Sequence, residues 1–155
     1  ALWDIGPYAI HSLRQCFKEN PKRVQAIAKL NEHGADISTS GLIDFGDSKR
    51  ATFDISFECT RRSEFEAFGP LGRVKCPIVW QPENMQAKII INTENSALTE
   101  EVVPAANHFV LEINHFNKII SSDVVSKLSN EDALWNVRTL KSIEQSINVD
   151  GWVNL

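Results

Sequence analysis

The stretch from Ala51 to Cys59 constrains the fold of this chain more than any other. Apolar and polar residues alternate strictly along it: the apolar set is Ala51, Phe53, Ile55, Phe57 and Cys59, and the polar set is Thr52, Asp54, Ser56 and Glu58. Successive side chains of a strand point to opposite faces, so the pattern predicts a strand with one buried face. Sheets with one solvated face are commonly antiparallel. We therefore expect an antiparallel sheet.

Further periodic stretches lie on both sides of this strand. Strand patterns cover residues 23–31, 40–45, 63–68, 73–78 and 87–93, and helical periodicity covers residues 3–18, 104–121 and 130–147. Apart from the first helix, strands come first and helices last, which is typical of an α+β fold. We predict an open-faced, mostly antiparallel sheet of about six strands with helices packed on one face. The polar stretch of residues 93–101 is the expected long loop.

Each predicted helix has its own signal. Pro7 is tolerated only in a first turn, which places the start of the first helix near Asp4. The second helix carries an apolar stripe that we expect to face the core, formed by Phe109, Ile113, Phe116 and Ile120. The third helix begins with Ser129-Asn130-Glu131-Asp132, a capping-box pattern with aspartate in place of glutamate.

Composition limits the class of protein. The 155 residues suit one domain, and 43% apolar with 23% charged residues is typical of a globular protein. The net charge of −4 argues against nucleic acid as a partner, and no apolar run is long enough to cross a membrane. Cys16, Cys59 and Cys76 have neither disulfide nor zinc spacing, so we expect reduced, mostly buried thiols in a cytoplasmic protein.

Two chemical groups stand close together near the start of the chain. Asp4 and Tyr8 are four residues apart and would share one helical face, where a carboxylate and a phenol can transfer protons. Structural explanations compete with this one. Asp4 at a helix start can cap the helix, and Tyr8 can be an amphipathic core residue whose hydroxyl reaches the surface.

The surrounding residues resemble a known family. The segment Ala1-Leu2-Trp3-Asp4-Ile5-Gly6-Pro7-Tyr8-Ala9-Ile10 is similar to the start of the C-terminal domain in the glucose-fructose oxidoreductase, inositol dehydrogenase and dihydrodiol dehydrogenase (Gfo/Idh/MocA) family. The hairpin 40–57, the turn 68–74 and the segments 104–116 and 131–136 resemble later parts of that domain. In the turn, Pro70 replaces the usual threonine.

The resemblance implies roles for four residues. Tyr8 would exchange a proton with a substrate hydroxyl, and Asp4 would orient Tyr8 and bind the substrate. Asn107 and His108 are substrate-binding candidates. Arg62 is a further candidate from its place after the central strand, where a solvated strand end is the competing interpretation. The substrate would be a small polyhydroxy molecule, and the reaction would use NAD or NADP. A free phenol has a pKa of about 10, so Tyr8 would need a cation beside it to act as a base.

Two parts of the family's enzymes have no counterpart here. The chain contains no G-x-G-x-x-G fingerprint for a Rossmann domain, and no Glu-Lys-Pro segment to supply the family's catalytic lysine. We therefore interpret residues 1–155 as a single C-terminal substrate-binding and dimerisation domain that binds no cofactor alone. Its partners would be its own Rossmann domain and a second copy, paired through the open sheet face. The alternative is a stand-alone, non-catalytic binding or dimerisation module.

A metal site is a weaker alternative. His108, Glu112 and His115 repeat at helical spacing, but H-x-x-x-E-x-x-H is not a known zinc pattern and one helix rarely supplies a whole site. The three residues are expected to flank the buried face of the second helix, so we predict no metal.

Overall fold

The computed structural model describes residues 1–80, 85–94, 96–121 and 124–155. In chain order its elements are α1 (Gly6–Phe17), β1 (Arg23–Leu30), β2 (Asp36–Gly46), β3 (Lys49–Ser56), β4 (Phe65–Gly69), β5 (Gly72–Cys76), β6 (Ala87–Thr93), β7 (Thr99–Val103), α2 (His108–Ile120), α3 (Asn130–Val149) and β8 (Val153–Asn154). The chain divides into two compact units. Unit 1 comprises residues 1–59 and 128–155, and unit 2 comprises residues 60–127.

The α+β fold class is confirmed. The described strands form two antiparallel four-stranded sheets, ordered β3-β2-β1-β8 in unit 1 and β4-β5-β6-β7 in unit 2. Two strands were not predicted. One is β7, which begins inside the stretch expected to be a loop, and the other is β8, which has only two residues. Asn95 of the predicted loop lies outside the described residues.

Unit 1 holds the apolar core. Ala51, Phe53 and Ile55 are buried, as the alternation predicted, while Phe57 lies beyond the end of β3 and is exposed. Helices α1 and α3 pack on this inner face of the sheet. The buried apolar residues of the described part of the chain all belong to this unit: Ala1, Leu2, Ile10, Val24, Ala26, Ile43, Phe45, Ala51, Phe53, Ile55, Leu140 and Ile143.

The ends of α3 are tied down by side-chain hydrogen bonds. Ser129 caps the helix by accepting the backbone N–H of Asp132 at 3.1 Å, as the sequence predicted. Near the other end, the buried Ser146 hydroxyl accepts the N–H of Ala26 at 3.0 Å and donates to the carbonyl of Gly151 at 2.6 Å. One serine thus joins α3, β1 and the turn that follows α3.

Helix α2 of unit 2 corrects a prediction. Its apolar stripe was expected to be buried, but Phe109, Ile113, Phe116 and Ile120 are 56–66% exposed. The half-buried edge instead carries His108, His115 and Ile119. At 100° per residue this edge lies about 110° away from the stripe, so the helix is turned by roughly that angle from the predicted orientation.

The cysteines correct another prediction. All three thiols are free, as expected, but Cys16 and Cys59 are exposed and only Cys76 is partly buried. Burial raises the pKa of the Cys76 thiol. Among the described residues, no helix is both long enough and apolar enough to cross a membrane.

Candidate active site

Asp4 lies in the turn that leads into α1, not in the helix. The residue at the helix N-cap is Ile5, which makes no side-chain capping bond, and the first turn holds no acidic residue. The backbone N–H groups of the turn are satisfied by the carbonyl of Ala1, which accepts from Ile5 at 3.0 Å and from Asp4 at 3.2 Å. The capping interpretation of Asp4 is therefore wrong, and its carboxylate stays exposed.

Tyr8 occupies the first turn of α1 with its side chain 59% exposed. This exposure is too large for a core residue, so the structural interpretation of Tyr8 does not hold. The Tyr8 carbonyl accepts the hydroxyl of Ser12 at 2.9 Å, one turn further along the helix. The phenol is thus exposed on an ordered turn of backbone, as is expected of a group that contacts a ligand.

The segment before Asp4 is anchored by Asp36 at the start of β2. The Asp36 carboxylate accepts the N–H of Leu2 at 2.6 Å and the hydroxyl of Thr39 at 2.9 Å. Burial by itself would raise the pKa of Asp36, but these hydrogen bonds, together with the Ala1 amino group 3.1 Å from Oδ1, outweigh it and hold the pKa below its ordinary value. Because Leu2 is also buried in the core, the chain segment that precedes Asp4 is held in one position.

Asp132, in the first turn of α3, contacts three side chains of α1. Its carboxylate lies 3.1 Å from Arg14 Nη1 and 3.2 Å from His11 Nδ1, and it accepts the amide of Gln15 at 3.1 Å. Arg14 is only 6% exposed and also donates to Asn20 Oδ1 at 3.0 Å. A buried guanidinium paired in this way fixes the far half of α1 against α3.

The predicted substrate-binding residues all belong to unit 2. Asn107 caps α2, since its Oδ1 accepts the N–H of Val110 at 3.1 Å. The His108 ring lies 4.1 Å from the Phe109 ring, and its Nδ1 is buried without a hydrogen-bond partner among the described residues. Arg62 follows β3, is mostly exposed and lies 3.8 Å from Glu64. Asp4 and Tyr8 belong to unit 1, so the structure describes the two sets separately.

The described residues do not fit a dinucleotide. Binding a pyrophosphate takes a parallel strand, a glycine-rich turn and a helix N-terminus in succession. Every strand pair described here is antiparallel, and the turns that precede α1 and α2 contain no glycine. Within the same residues, no group of three His, Cys, Asp or Glu side chains is placed to hold a metal ion.

Sequence reasoning missed the residues that hold the site in place. Asp36 and Arg14 were not singled out, Asp132 was noted only as part of a capping box, and His11 carried no pattern. No local signal marks them, because the contacts of Asp36 with Leu2 and of Asp132 with Arg14 join residues 34 and 118 positions apart.

The two antiparallel sheets and the helices packed on one of them define an α+β domain that recurs in oxidoreductases of known structure. The crystal structure of a 3-ketoreductase from Actinomadura kijaniata, in complex with TDP-benzene and NADP, superposes with a TM-score of 0.84 at 20% identity. The match covers 94% of this chain and 46% of that one. An aldose-aldose oxidoreductase from Caulobacter crescentus, complexed with glycerol, gives a TM-score of 0.82 at 16% identity over 97% of this chain and 46% of that one.

The model of the GFO/IDH/MocA C-terminal domain matches residues 1–75, which include the Asp4 and Tyr8 segment. This match confirms, over residues 1–75, the resemblance seen in the sequence. An uncharacterised oxidoreductase of Rhizobium meliloti is 28% identical over 160 residues, which cover 98% of this chain and 47% of that protein. An NADP(+) D-xylose 1-dehydrogenase of Haloferax volcanii is 22% identical over 157 residues, 100% of this chain and 48% of that protein. The chain thus spans about half the length of these relatives.

Proposed function

We propose that this chain is the C-terminal, substrate-binding part of an NAD(P)-dependent oxidoreductase that acts on a secondary alcohol of a sugar, cyclitol or diol. The observation that carries the proposal is the exposed Tyr8 phenol on the anchored first turn of α1, inside the segment that matches the family. The relatives support it, since they are named as oxidoreductases and one is named for D-xylose.

In this proposal the chain contributes proton transfer and substrate orientation. Tyr8 accepts the hydroxyl proton when the alcohol is oxidised and returns it when the ketone is reduced. Asp4, in the preceding turn, binds the substrate and orients the Tyr8 phenol toward the substrate hydroxyl. The hydride chemistry belongs to a nicotinamide cofactor, which the described residues do not fit and which another part of the enzyme would hold. That part would also bring the cation that a phenol needs to act as a base.

The substrate-binding candidates of unit 2 would act as hydrogen-bonding groups toward a polyhydroxy ligand. The capping bond of Asn107 uses Oδ1 and leaves its amide NH2 as a hydrogen-bond donor. His108 would act through Nε2, since its Nδ1 is buried. Arg62 would donate from an exposed guanidinium.

The test uses the longest natural reading frame that contains this chain. The product is assayed for reduction of NAD+ and NADP+ with a panel of sugars, cyclitols and diols. Replacing Tyr8 by phenylalanine keeps the ring and removes the hydroxyl, and loss of a general acid–base group should lower kcat by about 10²–10⁴-fold. The control is Trp152→Phe, which alters a partly exposed aromatic residue near the C-terminus. A Tyr8→Phe enzyme with the activity of the control would refute the role of Tyr8.

The alternative function is a non-catalytic binding or dimerisation module, which the lack of a dinucleotide cradle among the described residues favours. The reading frame separates the two functions. A glycine fingerprint and a Glu-Lys-Pro segment ahead of Ala1 would support the enzyme, and a start codon directly before Ala1 would exclude it. The chain alone should not enhance NAD(P)H fluorescence; enhancement would contradict the assignment of the cofactor to another part.

We also propose that the outward face of the unit 1 sheet pairs two copies of the chain. This face carries Ile27, which is 67% exposed, beside polar residues such as Ser40 and Asp54 of the neighbouring strands. Sedimentation should give a dimer that Ile27→Glu converts to a monomer, while Leu71→Glu at the exposed turn of unit 2 should leave the dimer intact. A native chain that stays monomeric at high concentration would rule this interface out. The three free thiols fit a reducing compartment, which supports a cytoplasmic location.

A further inference from the structure

The first turn of α1 contains Pro7, which suits a helix start, but it lacks two other usual means of stabilising one. Its N-cap makes no side-chain hydrogen bond, and no acidic residue of the turn complements the helix dipole. Such a turn tends to fray unless tertiary contacts hold it. Because Tyr8 lies in this turn, whatever holds the turn also sets the direction of the phenol.

Two residues of α3, one turn apart, make such contacts, and Leu2 and Ile55 also lie close to Gly6. A Cβ placed on Gly6 would lie 3.2 Å from Leu140 Cδ2, so the Gly6 backbone rests directly on the buried Leu140. Next to it, Asn136 Nδ2 donates to the carbonyl of Pro7 at 3.2 Å. The reverse orientation of the amide would place two carbonyl oxygens against each other, so this contact also defines which way the amide points.

The Pro7 carbonyl is joined to Tyr8 by a rigid plane. A peptide unit keeps its carbonyl and the following Cα in one plane, so holding the oxygen of Pro7 fixes the Cα of Tyr8. The remaining half of α1 is held separately, by Asp132 on His11 and Arg14. Loss of the Asn136 contact would therefore loosen the first turn and leave the rest of the helix in place.

Asn136 is also a costly choice at this position. Its Oδ1 is buried and has no partner among the described residues, one of three such side-chain atoms there. A buried acceptor without a donor lowers stability, and an apolar residue of similar volume would avoid that loss. A residue that lowers stability while making one specific contact is expected at a functional site.

We propose that Asn136 is a positioning residue that aims the Tyr8 phenol through the Pro7–Tyr8 peptide. The inference rests on the proposed function only for the catalytic consequence; the structural part concerns Tyr8 whatever its role. Asn136 does not touch the reacting atoms. It acts by restricting where the phenol can lie, and loss of such restriction lowers the rate of a reaction that needs close alignment.

The structural part is tested on the chain itself. Tyr8 is the only tyrosine in the sequence, so labelling with 3-fluorotyrosine gives one ¹⁹F resonance that needs no assignment. Asn136→Leu and the isosteric Asn136→Asp should each shift or broaden this resonance by more than its native linewidth. The control is Ser146→Ala, which removes a buried hydrogen-bonding group of the same helix away from α1 and should leave the resonance unchanged. An unchanged resonance in both Asn136 variants, or the same change in the control, would overturn the inference.

The catalytic part is tested in the longer enzyme. Asn136→Asp should lower kcat about tenfold with KM within twofold, and it should cause no further loss in a Tyr8→Phe background. A loss that persists in that background would show that Asn136 does not act through Tyr8. If Tyr8→Phe itself leaves the rate unchanged while the ¹⁹F resonance still responds to Asn136, the proposed function fails and the positioning contact stands.

Discussion

Gly41 in β2 offers the sharpest test of how closely the core of unit 1 is packed. It pairs with Ala26 of β1 on one side and Phe53 of β3 on the other. A Cβ added at Gly41 would lie 2.6 and 2.7 Å from two ring carbons of Phe53, and 2.8 Å from the carbonyl oxygen of Gln25. Favourable contacts between carbon atoms lie at about 3.5–4.0 Å, so the Phe53 ring would have to move by roughly 1 Å.

The size of the effect follows from what surrounds that ring. Phe53 is 7% exposed within the core, so it has little room to move. The Gln25 oxygen belongs to the backbone of β1 and can retreat only if the strand shifts. Overpacking of this kind costs about 1–3 kcal/mol, and for a chain of this length each kcal/mol lowers Tm by about 2–4 °C. We expect Gly41→Ala to lie at the upper end of both ranges.

Urea unfolding followed by tryptophan fluorescence measures this difference. Gly69→Ala is the matched control, since a Cβ at Gly69 would meet no atom within 4 Å and should change stability by no more than about 0.5 kcal/mol. Adding Phe53→Leu to Gly41→Ala should recover part of the loss, because it removes the ring carbons that clash. Equal stability of the two glycine variants would refute the packing argument.

Two further predictions concern titratable groups. The lowered pKa of Asp36 contributes its full stabilisation above the unfolded carboxyl pKa of about 3.9, and this contribution is lost as the pH falls through the lower folded pKa. Asp36→Asn should therefore destabilise the chain at pH 7 but much less at pH 3. A difference in unfolding free energy that does not change with pH would contradict this prediction. The second prediction concerns the reaction of the thiols with a disulfide reagent at about pH 7.5. Cys76 should react more slowly than the exposed Cys16 and Cys59, because burial raises its thiol pKa. Three equal reaction rates would contradict this.

Much of the fold could be predicted because its signals are local. The period of two along residues 51–55 identifies the inner face of β3, and Ser129 marks the start of α3 by its own capping bond. The unpredicted strands lack such signals. All five residues of β7 are exposed, so their burial does not alternate, and β8 exists only through the pairing of Val153 and Asn154 with β1.

The candidate site likewise has a part that the sequence predicts and a part that only the fold shows. The spacing of Asp4 and Tyr8 is visible in the sequence, as is the family segment that contains them. Their support is not, because Asn136 reaches Pro7 across 129 positions of the chain and only the fold brings them together. The sequence position of Asp4 suggested a helix cap, yet the helix begins two residues later and its N-cap is Ile5.

Helix α2 shows why a correct pattern can still give the wrong orientation. Periodicity correctly groups Phe109, Ile113 and Phe116 on one face, because that grouping depends only on helix geometry. Whether the face is buried depends on the shape of what the helix packs against, which no spacing within the helix encodes. In unit 2 the described sheet residues reach half-burial at most, so this unit has no deep core to take up the stripe. The helix instead turns inward the edge with His108 and His115, each of which has a buried ring nitrogen without a partner among the described residues.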